Sequence, residues 1–126
     1  LIYPQFVDHL VFLVSDVGIT ERFYSALLGL PSHKSEGSIM YMAGDTRLFF
    51  AATSDPGKYD KEKIGLNHLA FGVSSRKELK VIEAQLGKCG IAHSGIRLDQ
   101  YGLREFIWLD DPDGIRIEFY LRPSQP

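Results

Sequence analysis

The segment Asp8-His9-Leu10-Val11-Phe12-Leu13-Val14-Ser15 returns as Asn67-His68-Leu69-Ala70-Phe71-Gly72-Val73-Ser74. His, Leu, Phe, Val and Ser recur in register, so the fold has to house two equivalent strands in equivalent surroundings. Both copies alternate and are rich in β-branched or aromatic residues, the pattern of strands with two different faces.

The residues after each strand repeat as well. Behind the first comes Asp16, then Ile19, Phe23, Leu27 and Leu30 at helical spacing, closing near Gly29. Behind the second comes Ser75-Arg76-Lys77-Glu78, a capping box, then Leu79, Ile82 and Leu86, with an end by Gly87 to Gly90. Beyond each helix lie an edge segment of variable length and a hairpin. One hairpin runs from Ser38 to Ala43, turns at Gly44-Asp45 and returns from Arg47 to Ala52. The other runs from Arg104 to Leu109, turns at Asp110-Asp111-Pro112-Asp113-Gly114 and returns from Ile115 to Leu121. Each half therefore reads strand, helix, three strands. The predicted layout is module one at about 6–54, a linker at about 55–65 containing Pro56-Gly57 and Asp60-Lys61-Glu62-Lys63, and module two at about 66–122. Halves of this size hold poor cores alone, so residues 1–126 are expected to pack as one pseudo-symmetric domain.

Composition narrows the function. A formal net charge of -2 and no long Lys or Arg run disfavour a nucleic-acid partner. No apolar run approaches the ~20 residues that span a bilayer, so no membrane partner is expected. The single cysteine, Cys89, cannot form an internal disulfide, which points to a cytoplasmic protein.

The repeat sorts the polar residues by strand parity. If Leu10, Phe12 and Val14 face the helix, His9, Val11 and Leu13 face away, and the same parity frees His68, Ala70 and Gly72. Aligning the hairpins sets Arg47-Leu48-Phe49-Phe50 on Arg116-Ile117-Glu118-Phe119, and leaves Arg116, Glu118 and Tyr120 on the side averted from the helix. His9, His68 and Glu118 thus occupy equivalent positions that a pseudo-twofold would bring together. Two imidazoles and a carboxylate with open positions suit a divalent metal of the iron, manganese or zinc kind. Taken singly, a strand histidine is more often structural than ligating, and Glu118 could simply face water; the conjunction carries the reading.

These features together resemble the vicinal oxygen chelate superfamily, the glyoxalase, bleomycin-resistance and extradiol dioxygenase group. The resemblance rests on His9 in D-H-L-V-F-L-V-S-D, F-Y-S-A-L-L-G-L at Phe23 to Leu30, His68 in N-H-L-A-F-G-V, and D-P-D-G-I-R-I-E at Asp111 to Glu118, and covers nearly the whole chain. It implies an α+β fold of two paired βαβββ modules whose curved mixed sheets form an incomplete barrel around a metal site. It also implies one divalent ion (Fe, Mn, Zn or Ni) held by His9, His68 and Glu118, with Glu118 as the catalytic residue, a small-molecule substrate, and a homodimer.

Within the superfamily the chain departs from each named activity. Phe49 stands where glyoxalase I members carry a fourth ligand. Trp108 stands where extradiol enzymes have a Tyr, and Val11 where the fosfomycin enzymes have a Thr. The expected function is a metal-dependent enzyme of lyase, isomerase or transferase type acting on an oxygen-chelating substrate. The alternatives are an extradiol-type iron dioxygenase and a non-catalytic drug-binding resistance protein.

Arg47 and Arg116 have the parity to clamp a substrate anion. Tyr41, Trp108 and Phe106 are expected beside them as an aromatic wall. The Asp110 to Gly114 stretch reads as turn chemistry. Glu105 falls on the wrong face for a base and Asp99 lies in an irregular stretch. His33 and His93 are expected in solvent and Cys89 half-buried.

Overall fold

The computed structural model of the protein describes residues 1–122. By contacts the chain divides after Gly57 into two compact units. The division falls inside the stretch read as a linker.

The first unit contains β1 (His9–Val14), α1 (Val17–Leu28), β2 (His33–Ser35), β3 (Ser38–Ala43) and β4 (Thr46–Ala52). Its sheet order is β1-β4-β3-β2. The pair β1 and β4 is parallel, and the others are antiparallel. Asp16 caps α1 by accepting the Ile19 amide at 3.0 Å, and Gly29, at φ 82°, ends it. Gly44, at φ 58°, supplies the positive angle that the two-residue β3–β4 hairpin needs.

The second unit repeats the plan with β5 (His68–Val73), α2 (Arg76–Lys88), β6 (Arg97–Leu98), β7 (Glu105–Asp110) and β8 (Arg116–Leu121), ordered β5-β8-β7-β6. Its first and last strands are likewise parallel. The capping box at α2 is present, with Ser75 Oγ accepting the Glu78 amide at 3.2 Å and Glu78 accepting the Ser75 amide at 3.1 Å. The α+β class and the two βαβββ modules stand as read from the repeat. Among the described residues no helix is long and apolar enough to cross a membrane.

Each unit buries the helix side of its sheet. Phe12, Val14, Tyr24, Ile39, Leu48 and Phe50 form the first core, with Phe12 stacked on Phe50 at 5.0 Å and Tyr24 at 4.4 Å from Phe50. Leu79, Leu86, Ile107, Leu109, Ile117 and Phe119 form the second.

Several expectations need correction. The buried line of α1 runs through Thr20 and Tyr24, while Ile19 and Leu30 are exposed, because Gly29 ends the helix before Leu30 can join a stripe. Cys89 is exposed, and His93 is half-buried with Nδ1 accepting the Gly95 amide at 2.9 Å. Tyr41 does not share a face with His9. It pairs with Leu48 and is 1% exposed beneath α1, where its hydroxyl donates to the Glu21 carbonyl at 3.3 Å and shares a hydrogen bond with Ser25 Oγ at 2.8 Å. Burial, the largest influence, pushes this phenol above its ordinary pKa. The two-residue turn explains the parity: Ala43 faces Thr46, so Met42 and Arg47 share one face while Tyr41 and Leu48 share the other.

Two measurements check these packing assignments. Replacing Tyr41 by Phe loses a net hydrogen bond, so thermal melting should show a loss of about 1 kcal/mol. Glu78 is held below the usual carboxylate range, chiefly by the Ser74 amide and then its hydroxyl, with Ser75 adding to it. A depressed folded pKa stabilises at neutral pH and ceases to do so as pH falls through it. Glu78→Gln should therefore lower the melting temperature at pH 7, and the gap from wild type should close on acidification.

Candidate metal and ligand site

In each module the parallel pairing places the last strand beside the first, and side chains in register share a face. On the side of the second sheet averted from α2 this produces three rows. His68 stands beside Arg116 and Asp110, then Ala70 beside Glu118 and Trp108, then Gly72 beside Tyr120 and Phe106.

His68 and Glu118 come together. The imidazole Nε2 lies 3.5 Å from Glu118 Oε1, and the Glu118 residue is only 9% exposed. The other ring nitrogen is committed: His68 Nδ1 is 2.8 Å from Asn67 Oδ1. The Asn67 amide is itself oriented, because its Nδ2 donates to the Lys61 carbonyl at 2.9 Å, which turns Oδ1 toward the ring. Nδ1 therefore carries the proton, and in the neutral ring Nε2 points a lone pair at a carboxylate. A gap of 3.5 Å exceeds the about 2.7–2.9 Å of a charge-assisted hydrogen bond, and two acceptors face one another with room for a shared cation.

The loop that sets this tautomer is itself anchored. The Tyr59 amide donates to the Asp113 carbonyl at 3.0 Å, and the Tyr59 hydroxyl donates to the Leu66 carbonyl. Asp111 closes the turn below by accepting the amides of Asp113 at 2.8 Å and Ile115 at 2.9 Å. Gly114 sits at φ 89°, and a Cβ there would come within 3.1 Å of the Tyr59 carbonyl oxygen. The Asp111 to Gly114 signature is thus structural, and residues 58–66 are a docked segment of the second unit and no free tether.

His9 occupies the matching row of the first unit, beside Arg47 and Met42. Its Nδ1 is 2.7 Å from Asp8 Oδ2, so this imidazole too has one nitrogen engaged by the residue before it and Nε2 left over. Its next row holds Val11 and Phe49 where the second unit has Ala70 and Glu118, and the His9 ring meets Phe49 edge-on at 5.8 Å. Among the described residues no three His, Cys, Asp or Glu side chains form a metal-sized group.

The remaining candidates separate clearly. Trp108 shares Glu118's row, and the Arg116 guanidinium lies over its ring at 4.0 Å while its Nε donates to Asp110 Oδ1 at 2.6 Å. Arg116 is thus engaged inside the sheet face, whereas Arg47 is exposed. Tyr41 lies on the opposite side of its sheet. Glu105 pairs with Arg76 at 2.9 Å, on the wrong face for a base as parity required.

One pair escapes a reading of the sequence. The Tyr120 hydroxyl donates to Asp99 Oδ2 at 3.1 Å, and its ring stacks on Phe106 at 4.9 Å. Asp99 Oδ1 accepts the amides of Tyr101 at 3.2 Å and Leu103 at 3.0 Å. Those donors, Leu103 first, hold the Asp99 carboxyl below its ordinary range. Tyr120 moves the other way, raised first by burial and then by its hydrogen bond to Asp99. The parity of Tyr120 is legible in the sequence; its partner, from an irregular stretch, carries no signal.

Comparison with known proteins accords with the fold. The family model described as Glyoxalase/Bleomycin resistance protein/Dioxygenase superfamily matches residues 6–119. The uncharacterized protein YaeR of Escherichia coli strain K12 is 28% identical over 124 residues, covering 90% of this chain and 94% of YaeR. A glyoxalase/dioxygenase from Nostoc punctiforme is similar in structure with a TM-score of 0.78 at 21% identity, covering 98% of this chain and 97% of its own. Lactoylglutathione lyase from Agrobacterium tumefaciens has a TM-score of 0.73 at 17% identity, with 94% of each chain covered.

Replacing Asp99 by Asn removes a negative charge and weakens the acceptor facing the Tyr120 hydroxyl. Nuclear magnetic resonance titration of labelled tyrosine rings should then show the Tyr120 phenol ionising at lower pH, with burial still holding it above the ordinary range.

Proposed function

The chain belongs to the Glyoxalase/Bleomycin resistance protein/Dioxygenase superfamily, and from that premise we propose that it is a divalent-metal-dependent enzyme acting on a small substrate through that substrate's oxygen atoms. The observation that carries the proposal is the approach of His68 Nε2 to the buried Glu118 carboxylate, 3.5 Å from Oε1, with Nδ1 engaged from behind by Asn67. Burying a carboxylate among apolar strand residues is costly without a partner. His68 Nε2 and Glu118 would hold a bound cation between them, which would give the carboxylate that partner. His9, with Nδ1 engaged by Asp8, is the proposed third donor.

When bound, the ion would act as a Lewis acid toward a substrate oxygen. The chain's own residues do the rest. Asn67 and Asp8 orient the rings, and the Trp108, Tyr120 and Phe106 side chains line the same face as Glu118. Glu118 would be the carboxylate that holds the ion and acts on the substrate beside it. Lyase, isomerase or transferase chemistry fits this donor set best, because the tyrosine on this face, Tyr120, has its proton engaged by Asp99 and the position of the extradiol tyrosine holds Trp108. A homodimer is the proposed assembly, supported by the exposed apolar side of the first sheet, where Val11 is 59% and Leu13 62% exposed.

Elemental analysis of protein purified without added metal or chelator tests the proposal. Wild type should hold about one equivalent of transition metal and Glu118→Gln almost none, while Asn67→Ala, which frees the ring, should bind about 10–100-fold more weakly. Absence of metal together with no uptake on reconstitution would leave a small-molecule binder as the better account.

A further inference from the structure

Gly72 is out of place in the middle of β5, since glycine there weakens a strand and packs nothing. The backbone does not require it, because Gly72 is not among the glycines with positive φ. Nor does a neighbour, because a Cβ built at this position meets no atom within 4 Å. A strand glycine is commonly roofed by an aromatic side chain from the adjoining strand, and the register puts Tyr120 in that place. Tyr120 is drawn the other way, its ring stacked on Phe106 at 4.9 Å and its hydroxyl bound to Asp99 at 3.1 Å. Ala70, beside Glu118, is nearly as small. Two small residues along β5 thus leave an open lane that begins at His68 and passes Glu118 and Tyr120.

We propose that this lane seats the flat apolar body of the ligand whose oxygens reach His68 and Glu118, and that Gly72 sets how long that body can be. The inference rests on the metal-site reading above. The residue that flanks the lane from β8 beyond Glu118 is the aromatic Tyr120, a neighbour that complements an apolar ring better than a sugar or a phosphate. Successive rows on one face of a strand are about 6.7 Å apart, so a ring joined to a chelating head at Glu118 ends over Gly72. A side chain at position 72 would stand where that ring lies, whereas a ligand with the same head and no ring would not reach it.

The test loads wild type, Gly72→Ala and Gly72→Val with Zn2+, reads uptake by calorimetry, and titrates each with acetohydroxamate and benzohydroxamate, one chelating head carrying a methyl or a phenyl tail. Trp108 is the single tryptophan and stands in Glu118's row, so its emission reports occupancy. Benzohydroxamate should bind wild type more tightly than acetohydroxamate. The Val variant should weaken benzohydroxamate about tenfold or more and leave acetohydroxamate and Zn2+ within about twofold. Its melting temperature should not fall, because Val favours an extended strand. Unchanged benzohydroxamate affinity with normal Zn2+ uptake overturns the lane and leaves the metal site standing. Equal weakening of both hydroxamates also overturns it. If the Val variant does not fold, the Ala variant decides, and an unaltered ratio of the two affinities counts against the proposal. A wild type that takes up no Zn2+ overturns the metal reading and this inference with it.

Discussion

The parallel pairing of β5 with β8 is the constraint on which the candidate site depends. Parallel neighbours cannot be joined by a tight turn, so the intervening chain must travel over the sheet and back. In this protein it does so as α2 followed by two antiparallel strands, which covers one face and leaves the other open. Once the pair is in register, alternation alone delivers His68 and Glu118 to adjoining rows of the open face. No loop has to be shaped to bring them together. The first module makes the same pairing, β1 with β4, at the equivalent register, His9 beside Arg47 as His68 is beside Arg116.

That shared register shows how far the two copies have separated in chemistry. The helix-facing sides remain apolar in both. The open side of the first carries Val11, Leu13 and Phe49, while the second carries Ala70, Gly72 and Glu118 at the same places. One copy has bulk there and the other has small residues around a carboxylate. The histidines differ in their support as well, an Asp carboxylate behind His9 and an Asn amide behind His68.

Much of this is legible from residue order because alternation and capping are local rules. Asp16, Ser75 and Glu78 announce the helices, and the pairing of Ile117 and Phe119 with the core leaves Glu118 on the open side. A local rule fails where it lacks its reference point. Strand parity counted without the turn puts Tyr41 on the wrong face, although the two-residue turn at Gly44-Asp45 carries the information that fixes it. The apolar spacing of α1 misplaces its buried stripe because the residues it buries, Thr20 and Tyr24, are polar by type and are covered through tertiary contacts. Asp99 is held in place by the backbone amides of Tyr101 and Leu103, and the segment from Lys58 to Leu66 bears on the site through the Lys61 carbonyl; such backbone partners have no signature in residue identity. The support behind the site is therefore the part least visible, although Asp8 and Asn67 stand directly before the two histidines.

The Asp111 to Gly114 turn is the most distinctive string in the chain, and its hydrogen bonds go to neither His68 nor Glu118. Its role is metrological. Tyr59 is hung from the Asp113 carbonyl and lies against Gly114 with no space for a methyl group, Lys61 comes two residues later, and the Lys61 carbonyl sets the Asn67 amide that sets the His68 ring. The links alternate short lengths of backbone with hydrogen bonds, so the position of the turn bears on the carbonyl that orients the Asn67 amide and, through it, on the set of the imidazole. A chain built this way keeps its turn for the same reason an instrument keeps its datum: the reading is taken elsewhere, but every error is measured from there.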